Sequence, residues 1–156
     1  AAALGARDHS FLQREYASIM SGLETRSLEH YALHGDPHRG NFLADRDGWL
    51  MIDFESVCSG PVEWDASALP GGGAGVFEVD KELLTELRRL RSLCVVVWCA
   101  GRAARSSEMD KASRLHLDVL RAPHKSQRPD YRSPGSSPFT TSIRLRNPSF
   151  ERMLLT

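Results

Sequence analysis

The clearest β-hairpin signal in this chain lies at residues 41–53, with polar side chains at both of its outer ends. Two short strand-like runs, residues 41–44 and 49–53, flank the sequence Asp-Arg-Asp-Gly. Asp and Gly tolerate the positive φ angles that tight hairpin turns require, so this sequence predicts an antiparallel hairpin. The end of the second strand would then bring Asp53 beside the polar residues that precede the first strand.

Three other stretches show the spacing of apolar residues that is typical of helices. They are residues 11–28, where the helix is expected to end near Ser21-Gly22, residues 81–105, which give the clearest signal, and residues 109–121. Residues 57–75 are rich in Gly and Pro and predict an irregular loop. The expected fold class is therefore α+β and mainly helical, with one small β-hairpin.

The charges of the chain divide it into two unequal parts. The whole sequence has 20 basic and 20 acidic side chains, yet residues 1–120 contain 13 basic and 18 acidic ones, and residues 121–156 contain seven and two. The segment 122–156 is rich in Pro, Ser and Arg and has no apolar periodicity, so it is expected to be a disordered basic tail. A domain over residues 1–121 is predicted, and nucleic-acid binding by the tail is disfavoured because few aromatic residues accompany its arginines.

Cysteine content and apolar runs indicate the compartment. Residues 93–100, the longest uninterrupted apolar run, are far fewer than the roughly 20 that a membrane span needs, so no membrane partner is expected. Cys58, Cys94 and Cys99 are an odd number without the spacing of a disulfide framework. They predict free thiols, and, in the absence of a recognisable signal peptide, a cytoplasmic protein.

The candidate catalytic and metal-binding residues lie on either side of the hairpin. The sequence LHGDPHRGNFL contains an Asp followed five positions later by an Asn, and MIDFE supplies a second acid beyond the hairpin. Mg²⁺ prefers oxygen ligands and binds one or two carboxylates together with substrate phosphates. Asn41 and Asp53 could be such ligands, and Asp36 would be free to accept a proton from an attacking hydroxyl, which is the arrangement found in kinases. Ordinary turn chemistry is the alternative, since Asp and Asn are common in loops.

The two sequences HGDPHRGNFL and MIDFESVCSGPVEWDAS resemble the aminoglycoside phosphotransferase family, whose kinase-like members phosphorylate small molecules. The resemblance implies a protein-kinase-like C-terminal lobe that uses Mg²⁺ and ATP or GTP. It also implies a nucleotide and a small-molecule hydroxyl acceptor as the binding partners. The oligomeric state cannot be predicted from the sequence.

The resemblance also implies roles for single residues. Asp36 would be the catalytic base and His34 would brace its loop, whereas Asn41 and Asp53 would hold Mg²⁺ and thereby the nucleotide. Two further acids would support the site. Asp65, in the GPVEWD stretch, would buttress the catalytic loop, and Glu55 completes the IDxE pattern, where it would contact either the outer shell of the metal or the substrate.

One part of the family pattern is not recognisable. Only 33 residues precede His34, and the first lysine of the chain is Lys81, so the N-terminal nucleotide lobe with its strand-borne lysine is expected to be absent. The GGGAG sequence at residues 71–75 lacks the Gly-Lys-Ser/Thr ending of a phosphate-binding loop. The second hypothesis is therefore a catalytically inactive fragment or binding module derived from this family.

Several side chains near the motifs have more than one interpretation. His38 would either reach the substrate or lie exposed as a bystander. Trp49 and Trp64 would either stack on the substrate or pack against the hairpin and the core. A zinc site that combines His34 and His38 with the cysteines is disfavoured, because no pair has ligand spacing beside them.

Overall fold

The computed structural model describes residues 4–46, 48–72, 78–102 and 106–122, and within them the chain is mainly helical. Its four helices are α1 (Ala6–Glu24), α2 (Val62–Ala68), α3 (Lys81–Ala100) and α4 (Ser107–Arg121). The four strands are β1 (Tyr31–Leu33), β2 (Phe42–Asp45), β3 (Gly48–Met51) and β4 (Cys58–Gly60). Short 3-10 turns lie at Arg39–Asn41, Phe54–Ser56 and Pro70–Gly72. None of the described helices is long and apolar enough to cross a bilayer.

Helix α3 is the centre of the apolar core because its buried residues recur at steps of three and four. Its first half packs with the second half of α1 in one cluster, and its second half packs with the first half of α1 and with α4 in another. Helices α1 and α3 therefore run antiparallel. The two clusters consist of Ile19, Met20, Leu23, Leu83, Leu87 and Leu90, and of Leu12, Leu93, Val96, Val97, Leu117 and Leu120.

The ends of α3 and α4 follow local capping rules. The Asp80 carboxylate accepts hydrogen bonds from the backbone N–H groups of Glu82 and Leu83, at 2.8 and 3.1 Å. The Ser106 hydroxyl accepts one from the N–H of Glu108 in the same way. Such side chains satisfy the free N–H groups of a first helical turn, so both helices begin where the sequence supplies a cap.

The strands form two separate antiparallel pairs. In the hairpin, Phe42 pairs with Met51 and Asp45 pairs with Gly48. In the second pair, Leu33 of β1 lies opposite Cys58 of β4. Both pairs end beside the same polar segment, because β1 leads directly into residue 34 and β2 follows directly on residue 41.

The structure corrects several predicted element boundaries. The helix predicted over residues 11–28 spans Ala6–Glu24 instead, because residues 7–10 are polar and give no periodic signal, and Gly22 does not interrupt it. The predicted helix over residues 81–105 ends at Ala100, with residues 103–105 outside the described part. Gly48, predicted to lie in the hairpin turn, is the first residue of β3. The helix predicted at residues 109–121 is confirmed, beginning two residues earlier.

The irregular loop predicted over residues 57–75 was wrong for most of its length. It contains β4 and α2, and of its residues only 73–75 lie outside the described part. Three strand residues and seven helix residues are too few to show a period, and β4 is specified by its partner β1 rather than by local sequence. The predicted disordered tail falls almost wholly on residues that are outside the description, since residues 123–156 are not part of it.

Candidate active site

The polar segment from His34 to Asn41, called the 34–41 loop below, is attached to the first turn of α2 by one carboxylate. Asp65 Oδ2 accepts a hydrogen bond from the backbone N–H of His34 at 2.8 Å, and Oδ1 accepts one from Gly35 at 2.9 Å. Hydrogen bonds to an ionised acceptor are shorter and stronger than neutral ones. Asp65 therefore fixes the backbone immediately before Asp36, and it lies where a buttressing acid was predicted.

His34 connects the loop to the residues that follow β3. Its side chain is buried, and Nδ1 accepts a hydrogen bond from the backbone N–H of Asp36 at 3.3 Å. A neutral ring that accepts at Nδ1 carries its proton on Nε2, which lies 2.8 Å from the carbonyl oxygen of Ile52 and donates to it. The ring also lies 4.8 Å from that of Phe54. His34 is therefore turned inward and braces the loop rather than facing an incoming substrate.

Gly35 is required at its position by a close approach of two backbone segments. Its φ angle is +89°, and a Cβ atom there would lie 2.0 Å from the carbonyl oxygen of Ser56. Glycine alone adopts such φ values at little cost, and only its missing side chain leaves room for Ser56. The Gly of the HGD sequence thus allows the 34–41 loop to lie directly against the turn that follows Asp53.

Asp36 presents a half-exposed carboxylate at the end of this braced backbone. Its side chain is 46% exposed, so a small molecule can reach it. Oδ1 lies 3.3 Å from Nη1 of Arg91, and Oδ2 lies 3.8 Å from Nε2 of His38. His38 is itself held by the loop, since its Nδ1 accepts a hydrogen bond from the N–H of Gly40 at 3.0 Å. The carboxylate therefore lies between one arginine and one histidine, with the shorter contact on Oδ1.

Arg91 of α3 was not identified from the sequence. Its guanidinium donates to the carbonyl oxygen of Trp64 at 2.8 Å and to the hydroxyl of Ser67 at 2.7 Å, and it stacks 4.2 Å above the ring of Trp64. Burial lowers the pKa of Arg91, and the charge of Asp36 opposes that shift. The sequence does contain a signal for Arg91. Leu87 lies four residues before it and Cys94 three residues after it, so this arginine falls on the apolar side of α3.

Asn41 and Asp53 lie at the same end of the hairpin, as predicted from the sequence. The backbone N–H of Ile52 donates to the carbonyl oxygen of Asn41 at 3.0 Å, so Asp53 follows directly on the residue bonded to Asn41. The side-chain Nδ2 of Asn41 donates to the carbonyl oxygen of Asp36 at 3.0 Å, which leaves Oδ1 available to a ligand. Asp53 is exposed and has a left-handed backbone, with φ of 66°. Strained backbone of this kind clusters at functional sites.

The remaining predicted residues differ in how closely they approach the site. Glu55 is exposed in the turn after Asp53, and no hydrogen bond joins it to the described part of the 34–41 loop. Trp64 is partly buried, and its indole N–H donates to the carbonyl oxygen of Gly35 at 2.8 Å, so it supports the loop. Trp49 is 76% exposed on the hairpin. Within the described residues, no three His, Cys, Asp or Glu side chains cluster closely enough to hold a metal by themselves.

Comparison with known families gives a match over the same segment. A family model described as a phosphotransferase enzyme family matches residues 1–89, which is more than half of the chain. The match includes the 34–41 loop, the hairpin and α2, and it ends two residues before Arg91. A search of curated proteins finds no significant match to the chain.

Proposed function

The chain belongs to the phosphotransferase enzyme family, the aminoglycoside-phosphotransferase family indicated by its motifs, and on that premise we propose that it transfers the γ-phosphoryl group of ATP or GTP to a hydroxyl of a small molecule. The acceptor would be an aminoglycoside-like compound or a related metabolite. The observation that supports this proposal most strongly is the half-exposed carboxylate of Asp36 on a loop whose backbone is fixed.

Asp36 would act as the general base. A base must lie within hydrogen-bonding reach of the proton that it accepts, and in phosphoryl transfer most of the rate comes from positioning and charge neutralisation. The backbone of Asp36 donates to His34 and accepts from Asn41, so the residue is held from both sides of the loop. Its Oδ2 is the oxygen left to accept the proton of an acceptor hydroxyl.

Asn41 and Asp53 fit the ligand preference of Mg²⁺. They offer an amide oxygen and a carboxylate, and one or two such protein ligands suffice when nucleotide phosphates and water complete the coordination. Bound Mg²⁺ would supply neutralisation of the charge on the phosphates. The hydrogen bond from Nδ2 of Asn41 to the carbonyl oxygen of Asp36 supports this role, because it would leave Oδ1 as the atom that binds the metal.

The described residues would form part of a kinase-like C-terminal lobe, and we propose residues 1–121 as its extent. Asp65 would support the catalytic loop through its two backbone hydrogen bonds. Glu55 is proposed as a supporting acid that contacts the outer shell of the metal or the acceptor.

The proposal is tested by phosphoryl transfer from radiolabelled ATP or GTP with Mg²⁺. The acceptor panel would contain kanamycin, a macrolide, choline and homoserine. We expect transfer to at least one acceptor, and Asp36→Asn is expected to lower kcat by about 10²- to 10⁴-fold, the usual contribution of a general base. Binding of Mg²⁺–ATP, measured by calorimetry, should persist in this variant. Asp118→Asn, which changes an exposed aspartate on α4, is the matched control and should retain wild-type turnover.

Two results would count against the proposal in different ways. Wild-type turnover in Asp36→Asn would show that Asp36 is not the base. Binding of Mg²⁺–ATP by the wild-type chain without transfer to any acceptor on the panel would favour the inactive binding module instead.

A further inference from the structure

Arg91 approaches the proposed base from a helix that lies outside the loop and the hairpin. Its Nη1 is 3.3 Å from Oδ1 of Asp36, and its side chain is only 16% exposed, against 46% for Asp36. We infer that Arg91 is a positioning residue, which holds one oxygen of Asp36 so that the other faces the acceptor hydroxyl. This inference rests on the proposed function, because it assigns the orientation of the base in that reaction.

The guanidinium of Arg91 is fixed before it reaches Asp36. Nε donates to the hydroxyl of Ser67, and Nη2 donates to the carbonyl oxygens of Trp64 and Gly35, at 2.7, 2.8 and 3.3 Å. The group also stacks on the ring of Trp64 at 4.2 Å. A guanidinium is planar, so fixing Nε and Nη2 also fixes the direction of Nη1. The position of Nη1 is therefore set by α2 and by the loop, not by Asp36.

This arrangement divides the two oxygens of Asp36 between two tasks. Oδ1 is held by the buried cation, while Oδ2 lies 3.8 Å from His38 and makes no shorter contact with a charged group among the described residues. A half-exposed aspartate without such a partner would sample several rotamers, and a misplacement of about 1 Å can lower a rate about 10²-fold. Arg91 would thus contribute to the rate through Asp36, without contacting the acceptor.

A purely structural role is the alternative, because Arg91 also ties α3 to α2. Arg89 provides a matched control for it. Arg89 lies on the same helix, its side chain is also 16% exposed, and it forms an ion pair with Glu15 and donates to the carbonyl oxygen of Leu120. Its partners belong to α1 and α4, so removing it should cost packing and pairing without affecting Asp36.

The experiment compares Arg91→Met, Arg91→Lys and Arg89→Met in the 156-residue chain with two measurements. The first is the rotamer of Asp36, obtained by NMR from the three-bond couplings of Cγ to the backbone N and carbonyl C. We expect one rotamer in the wild type and in Arg89→Met, and averaged couplings in Arg91→Met. Arg91→Lys keeps the positive charge but lacks the planar guanidinium, so its couplings should lie between those of the wild type and those of Arg91→Met.

The second measurement is the split between kcat and KM with Mg²⁺–ATP and the best acceptor of the panel above. Arg91→Met should lower kcat about 10²-fold and leave KM for ATP within twofold, and Arg89→Met should lower only the melting temperature. A single, unchanged Asp36 rotamer in Arg91→Met would overturn the inference, as would equal kcat losses in the two Met variants. If the wild-type chain transfers no phosphate, the proposed function fails, and the couplings alone then decide whether Arg91 orients Asp36.

Discussion

The helical part of the molecule, α1, α3 and α4, and the polar segment from β1 to α2 are held together by different interactions. The helical part packs two apolar clusters along α3, with Leu12, Leu87 and Leu93 completely buried. The polar segment instead relies on hydrogen bonds from short elements, and two of these end on Asp65. Apolar packing is not directional, whereas hydrogen bonds are, so the first region supplies stability and the second supplies fixed geometry.

This comparison implies that substitutions in the two regions should have separable effects. Changes in the two apolar clusters of the helical part should lower the free energy of unfolding and leave the kcat of the remaining folded molecules unchanged. Changes around the 34–41 loop should disturb the geometry of the site more strongly than they lower the free energy of unfolding. The following predictions are ordered by the expected change in the free energy of unfolding.

The largest effect is expected from Leu93→Ala in the apolar core. Leu93 is completely buried against α1 and α4, and such a truncation removes apolar burial and leaves a cavity, at a cost of about 3 kcal/mol. Urea unfolding should show this loss. Leu115→Ala, on the exposed side of α4, is the control and should change stability by less than about 0.5 kcal/mol. Equal losses in the two variants would contradict the assigned core.

Gly35→Ala should be the most costly change within the loop itself. The new Cβ would lie 2.0 Å from the carbonyl oxygen of Ser56 and would be held at a φ of +89°, so we expect a loss of about 2 kcal/mol and a displaced loop. The same substitution at Gly22 of α1 meets no atom closer than 4.0 Å and should stabilise the helix by up to about 1 kcal/mol. Thermal unfolding of both variants measures the two changes in melting temperature. Changes of the same sign in the two variants would contradict this prediction.

Asp65→Asn tests whether one carboxylate holds the loop. It retains one acceptor oxygen but turns an NH₂ group toward a backbone N–H, and we expect a loss of about 1.5 kcal/mol. Hydrogen exchange at the amides of His34 and Gly35 should become faster than in the wild type. Amides of α4 provide the internal reference, and uniform acceleration throughout the chain would instead indicate global unfolding.

The smallest effect concerns pH and belongs to the helical part. Burial lowers the pKa of His116 on α4 below its ordinary value of 6.5, and its Nδ1 has no hydrogen-bond partner among the described residues. The unfolded chain therefore binds the proton of His116 more readily than the folded chain does. The free energy of unfolding is then highest above pH 6.5 and decreases as the pH falls. Unfolding at pH 7.5 and pH 5 should show this decrease, and His116→Gln should reduce it. An unchanged pH dependence in that variant would exclude His116 as its source.

Sequence patterns predicted those parts of the molecule that repeat over many residues or that carry a motif. The buried stripe of α3 and the order of His34, Asp36, Asn41 and Asp53 are readable because each is local in the chain. The family assignment followed from those motifs and is confirmed by the family match. Predicted boundaries were less accurate where polar residues continue a helix, as at the start of α1.

The missed features depend on contacts between distant residues. Strand β4 exists through its pairing with β1, and α2 is too short to show a period. Arg91 was not singled out by the sequence patterns, yet the approach of α3 to α2 places it over Trp64 and beside Asp36, 55 residues away in sequence. No local pattern specifies such an approach, although an arginine within an apolar stripe is a usable signal.

Paramagnetic broadening tests most directly the proposed binding of a metal–nucleotide complex by residues 34–53 beside Asp36. Mn²⁺ would replace Mg²⁺ together with a non-hydrolysable ATP analogue, and the backbone amide signals of the labelled chain would be recorded by NMR. We predict that the amides of Asp36, Asn41 and Asp53 broaden most, that those of α4 remain sharp, and that Asp53→Asn weakens the effect. Broadening centred on any other part of the chain, or none at saturating Mn²⁺ and nucleotide, would contradict the proposed binding site.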